Sequence, residues 1–347
     1  MSYYRGRGRG GRAPFQGMEM ENHFHRPAQR PFQPPAVSSS ICKFNISGAC
    51  NAAHCRFVHA VRKVSESRVP SCVNELCIVE DSIYAVAGNS MHALRGEALK
   101  LEVEVPLPQK ACSVEYFPPF LVSGLADGAL RIFDKATGAC TDISSSSHAP
   151  QNCSAEVHAL LMHQGVLLAG SWDGHVRLWA AGFNPIGCIN SGFGGVKSMR
   201  MLGSVLILGC LQGLVFFDSA TLQPVAKIPC ASPVMGMEIV GAHCVAVTLN
   251  GEILVVDGAG SVAYKKSLSE IDGKQHSSAL SIAIVDGRGL IIGEKGGSCN
   301  ILRLPDMMPI GSFSASPADI RCILAAPGIF STGDGEGRVA LWKLGNI

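Results

Sequence analysis

Three cysteines and a histidine within ICKFNISGACNAAHCRFVH, residues 41–59, are the residues whose types and spacing most directly specify a chemistry. Cys42, Cys50, Cys55 and His59 follow the pattern C-x7-C-x4-C-x3-H. Three thiolates and one imidazole make a complete four-coordinate shell for Zn2+, whose filled d shell imposes no competing geometry, and they leave no position open for water. The expected metal is therefore structural, not catalytic. So short a segment has no core of its own, so metal binding, worth roughly 10–16 kcal/mol in small zinc peptides, has to supply its folding free energy. The knuckle is expected to fold independently of the rest of the chain. His54 is passed over as a ligand because His59 already fills the fourth position.

That spacing resembles the CCCH zinc-finger family, in which the metal holds an irregular loop and single-stranded RNA bases stack on its aromatic side chains. The resemblance implies Phe44 and Phe57 as stacking rings, each two residues after a cysteine, with Lys43 and Arg56 beside them. Stacking on an exposed ring contributes roughly 1–3 kcal/mol per base and tolerates many bases. The alternative role for both rings is to cover the metal or to dock on the rest of the chain. Between the second and third cysteines this sequence has Asn51, Ala52 and Ala53, where the family often has a basic and an aromatic residue, which implies a weaker or less selective finger.

The elements around the knuckle differ sharply in composition. Residues 1–40 begin MSYYRGRGRGGR and end PPAVSSS; they lack an apolar period and cannot offset the entropy of ordering, which predicts a disordered arm. Arg5, Arg7, Arg9 and Arg12 each bring a fixed charge and a planar face, so phosphate and bases are the expected partner, although Arg/Gly arms also bind proteins. Residues 1–69 hold eleven Lys and Arg against three Glu, a balance of +8, which leaves −6 for the remainder of a chain whose formal charge is +2. A positive head on an acidic body directs polyanions to the head. An arm and a lone finger together predict salt-sensitive binding with a Kd of about 10⁻⁶ M.

The whole chain has 347 residues, 47% of them hydrophobic and 16% charged, which excludes wholesale disorder and allows one large domain plus a small module. No basic start joins an apolar run and no apolar run reaches the length of a membrane span, so the expected location is intracellular, nuclear or cytoplasmic, with the nucleus slightly favoured. Eleven of the fourteen cysteines lie outside the knuckle, in runs such as LILGCLQG, and read as buried thiols and not as a disulfide framework.

From about residue 72 the chain shows short β-branched runs and glycine turns with almost no helical spacing. One unit recurs at roughly 40 residues: LVSGLADGALRIFD, LLAGSWDGHVRLWA, LILGCLQGLVFFDS, VAVTLNGEILVVD, LIIGEKGGSCNILRL and IFSTGDGEGRVALWK, with a degenerate copy SIYAVAGNSMHALRG. Each is a strand, a turn and a strand. Asp127, Asp173, Gln212, Asn250, Gly296 and Glu336 occupy the turns, each followed by a glycine able to take positive φ. Seven copies predict an all-β, seven-bladed β-propeller. The sequence stops just after RVALWKL, so the last blade lacks its outer strand; AVRKVSES upstream is expected to supply it and close the ring. The expected organisation is a disordered arm over 1–40, a finger over 41–60 and a propeller over 61–347, with 61–67 as the closing strand.

A CCCH finger followed by WD-type repeats resembles the plant-type zinc-finger/WD-repeat (zfwd) family over residues 41–347, most specifically in EVHALLMHQGVLLAGSWDGHVRLW and DIRCILAAPGIFSTGDGEGRVALWK. The resemblance implies a protein that binds RNA, or DNA, through its finger and docks protein partners on the propeller. Departures are plain: the third-strand Trp survives only as Trp179 and Trp342, with Phe133, Phe217, Val256 and Leu302 elsewhere, and the Gly-His dipeptide is essentially absent. No hydrolase, zincin or P-loop motif occurs, and His92, His158, His163, His175 and His243 sit singly along the sequence, so a non-enzyme is expected. A ubiquitin-ligase adaptor with a purely structural finger is the alternative. Against it, the blades lack Trp-Asp-x-Arg and carry FDKA, WAAG and WKLG.

Overall fold

The computed structural model describes residues 38–143 except Ala53, His54 and Arg56, then 155–345 and Ile347. The arm with Arg5, Arg7, Arg9 and Arg12 lies outside the described residues, as does Arg56.

Seven four-stranded antiparallel sheets make up the described chain from Val61 onward, and six of them consist of four consecutive strands. Blade one is typical: Val73–Val79, Ser82–Ala87, Ser90–Arg95 and Lys100–Pro106, running from the channel outward. Blade seven is composite. Its inner strands Ile320–Ala326, Ile329–Asp334 and Arg338–Leu344 are completed by Val61–Arg68, paired antiparallel with Arg338–Leu344 from Val61 opposite Leu344 to Arg68 opposite Arg338. This joins the two ends of the ring by a ladder of backbone hydrogen bonds. The chain is thus a closed seven-bladed propeller.

Local sequence chemistry explains each blade. Gly128, Gly174, Gly213, Gly251, Gly297 and Gly337 all take positive φ at the turn between second and third strands. At Gly337 a Cβ would fall 2.2 Å from the Val69 carbonyl oxygen, so the turn needs both the backbone freedom and the missing side chain. A second glycine position binds blade to blade. Gly124, Gly170, Gly209, Gly293 and Gly333, on the second strands, lie against the first residue of the next blade's inner strand: Val157, Val196, Val234, Ile320 and Val73. A Cβ there would approach the branched side chain to between 2.5 and 2.9 Å.

The hydrophobic core is correspondingly a set of wedges between neighbouring blades. Val73, Leu76 and Ile83 of blade one pack with Cys322, Val339 and Leu341 of blade seven across the seam. Between blades six and seven, Phe313, Phe330 and Trp342 form the aromatic centre, with Phe330 stacked on Trp342 and the Trp342 Nε1–H donating to Thr332 Oγ1 at 3.0 Å.

The thiols divide by strand position. Six of the ten described cysteines outside the knuckle are buried, and burial pushes Cys77, Cys210 and Cys244 up to about 12. Cys140 and Cys188 depart from the expectation of uniformly buried thiols: both are exposed, because they lie on outermost strands with no further layer to cover them.

Candidate metal centre

The knuckle is built from very little regular structure. Ser38–Ile41 pairs in parallel with Phe57–Val58, and the Cys42 amide donates to the Val58 carbonyl at 2.8 Å, bringing the two ends of the stretch side by side. A single helical turn, Lys43–Ile46, begins directly after Cys42, and the Asn45 and Ile46 amides donate back to the Cys42 carbonyl. This brings the first cysteine next to the third.

The ligating atoms of Cys42, Cys50, Cys55 and His59 all lie within 4.8 Å of one another, and the Cys42 and Cys55 sulfurs are 3.6 Å apart. A tetrahedron with Zn–S bonds of about 2.3 Å would separate its sulfurs by about 3.8 Å. The quartet can therefore hold a metal ion, and its dimensions fit a tetrahedral one. Cys42 is buried, Cys50 and Cys55 are half-buried, and His59 is exposed.

Electrostatics inside the quartet favour a cation. Burial acts to raise the Cys42 thiol, but the Asn45 amide and the neighbouring thiols outweigh it and bring it down to about 7. Cys55 moves the other way. The Phe57 amide acts to lower it, yet burial and the adjacent Cys42 and Cys50 sulfurs together raise it, as expected where a second negative charge would sit beside a first. A divalent cation relieves that repulsion.

The knuckle is not separate from the propeller. Ile41 is buried in the cluster that holds Phe313, Phe330 and Trp342, with Ile46 and Val58 packed against it. Asn45 Nδ2 donates to the Val61 carbonyl at 2.9 Å, and the Gly345 amide donates to the Ala60 carbonyl at 2.8 Å. The expectation of independent folding omitted these contacts because nothing in ICKFNIS distinguishes a metal-covering isoleucine from one seated between two blades.

Of the four finger residues expected beside nucleic acid, the structure displays two clearly. Phe44 is 55% exposed, with the Lys43 ammonium 5.4 Å from its ring centroid. Phe57 is half-buried within its short strand.

A second set of donor groups was not apparent from sequence. His158 does not sit singly: its Nε2 is 2.7 Å from a Glu156 carboxylate oxygen, its Nδ1 is 3.3 Å from the Lys197 ammonium, and Cys112 completes a close trio with Glu156 and His158. These residues come from blades two to four, and the packing of successive inner strands side by side around the channel brings them together.

No protein-family model and no curated protein matches the sequence. Among solved structures, the crystal structure of the computationally designed Ika8 protein superposes with a TM-score of 0.62 at 13% identity, covering 81% of this chain and 99% of that one. At that identity the likeness concerns the fold alone.

Proposed function

We propose that this chain is a non-enzymatic, zinc-dependent RNA-binding protein, in which the knuckle grips single-stranded RNA and the propeller faces hold protein partners. The observation that carries the reading is the Cys42–Cys50–Cys55–His59 quartet with Phe44 and Lys43 exposed on the turn that begins at its first ligand. Zn2+, when bound, would supply only structure there, cross-linking the two ends of a stretch too short to fold alone. Phe44 would offer a face for an unpaired base, and Lys43 a charge for the adjoining phosphate. This is the role expected from the resemblance to the zinc-finger/WD-repeat family, and DNA is the competing nucleic acid.

Metal analysis of purified protein together with fluorescence anisotropy on short single-stranded RNA and DNA tests the reading. One zinc per chain and micromolar, salt-sensitive RNA binding support it. Binding unaffected by removal of the metal would refute the finger's part. Recovery of ligase subunits without crosslinked RNA would favour the adaptor reading.

A further inference from the structure

The innermost strand of every blade carries a register irregularity at one place, between its first and third residues. A bulge leaves one residue unpaired and re-aims its side chain. Here that residue is always the second of the strand, and since all seven inner strands run the same way round the ring, the seven side chains meet at one mouth of the channel. Five of them are polar or charged and form a contiguous arc: Arg321, then across the seam Asn74, Cys112, His158 and Lys197. Met235 and Leu280 fill the gap between Lys197 and Arg321. Lys110, just before its strand, adds a third cation, and these residues enclose a cavity of about 80 Å³ that opens into the larger channel. Such a space holds several waters or one tetrahedral oxyanion.

Charge decides what fits. Among the described residues no carboxylate forms an ion pair with Lys110, Lys197 or Arg321, whereas Arg200 deeper in the channel is paired with Glu238 at 2.9 Å. Burial depresses the Lys197 ammonium even though Glu75 and Glu156 oppose the effect. Glu156 is already engaged by His158, and Glu75 accepts the Val114 amide at 2.9 Å. The Cys112–Glu156–His158 trio has donors for a cation, but Lys197 lies against the second nitrogen of His158, so a metal there would meet an ammonium at short range. An anion is the complementary ligand.

An aromatic adjoins His158. Trp172, in the turn after the second strand of blade three, is 46% exposed and sits 5.1 Å from the His158 ring, while Trp179 and Trp342 are buried. An exposed indole beside His158, which itself meets Lys197, suits a base linked to a phosphate.

We propose that this mouth is a phosphoryl-binding site, and that it takes the terminal phosphate of a single-stranded nucleic acid whose end nucleotide lies on Trp172. A terminal phosphate brings nearly two negative charges at neutral pH against one for an internal phosphodiester, which is what three cations in a narrow mouth discriminate. The inference extends the RNA-binding reading to a second site, remote in sequence from the knuckle.

The test uses the full chain and one short RNA in 5′-phosphorylated, 3′-phosphorylated and unphosphorylated forms, followed by tryptophan fluorescence and anisotropy. One phosphorylated form should bind roughly tenfold tighter than the unphosphorylated one, quench the exposed Trp172, and be displaced by inorganic phosphate. Lys197→Ala with Arg321→Ala should abolish the discrimination at an unchanged Tm. Trp172→Ala, at an exposed position, should weaken RNA binding but leave displacement of the bound RNA by inorganic phosphate intact. Cys50→Ser should lower all three affinities alike and preserve their ratio, so failure of the finger and failure of the mouth are separable. Equal affinity for the three RNAs, preference for a phosphoserine peptide over all of them, or a second equivalent of zinc lost in Cys112→Ser would each overturn the proposal.

Discussion

At the scale of single residues, the quartet and its exposed neighbour make opposite demands. Cys50 belongs to the quartet that could hold a metal ion, and Ile41, next to the first cysteine, is seated in the core between blades six and seven. Cys50→Ser should therefore release the metal and also lower the propeller's thermal transition by a few degrees, read by zinc stoichiometry and calorimetry on one sample. An unchanged transition would mean that the knuckle folds alone. Phe44 is different, since its ring is largely in solvent. Phe44→Ala should leave zinc content and Tm untouched and weaken RNA binding roughly fivefold to hundredfold, the loss of one stacked base.

Glu75 gives a pH dependence. Burial, chiefly, raises its carboxyl to about 7 from an ordinary value near 4.5; the Val114 amide opposes that shift, and Glu115, Lys197 and Arg200 are its charged neighbours. A raised folded-state pKa contributes stability that is complete below pH 4.5 and lost as pH rises through 7. Glu75→Gln should therefore flatten the fall in stability between pH 4.5 and 7.5, an effect on the order of 1–3 kcal/mol in denaturant unfolding. His158, held down at about 4 mainly by burial, contributes in the opposite sense: its share is present above pH 6.5 and lost as pH falls through 4.

At the scale of elements, blades are joined where a glycine of one meets a branched side chain of the next. Gly333 faces Val73 across the closure seam, with the Cys322 sulfur equally close. Gly333→Ala should destabilise the protein by roughly 1–3 kcal/mol, and Val73→Ala in the same chain should recover part of the loss. A double-mutant cycle by chemical denaturation measures that coupling. The strand-turn-strand units were legible because both signals are local, an apolar alternation and a glycine after a polar turn residue. The bulge in each inner strand was not. In VKSMRML nothing marks Lys197 as the residue turned into the channel, since a bulge is an agreement between two strands about register.

At the scale of the whole molecule, closure depends on a segment that precedes the first blade. A chain beginning at Pro70 would leave Arg338–Leu344 as an unpaired edge and should unfold less cooperatively or associate, whereas one beginning at Val61 should keep a single sharp transition. Size-exclusion chromatography and thermal melting distinguish the two. The sequence by itself determined the repeat, the all-β class, the number of blades and the four side chains that could hold a metal ion, because each is written in types and spacings within a few tens of residues. Tertiary structure alone decided that Ile41 belongs to the propeller's core and that Cys140 and Cys188 face solvent. It also decided that Lys110, Lys197 and Arg321 share one mouth although they are spread over more than two hundred residues. The shared mouth arises from ring closure, which brings distant strands together, and the other two from the layer in which each residue comes to lie, through packing that no local pattern encodes.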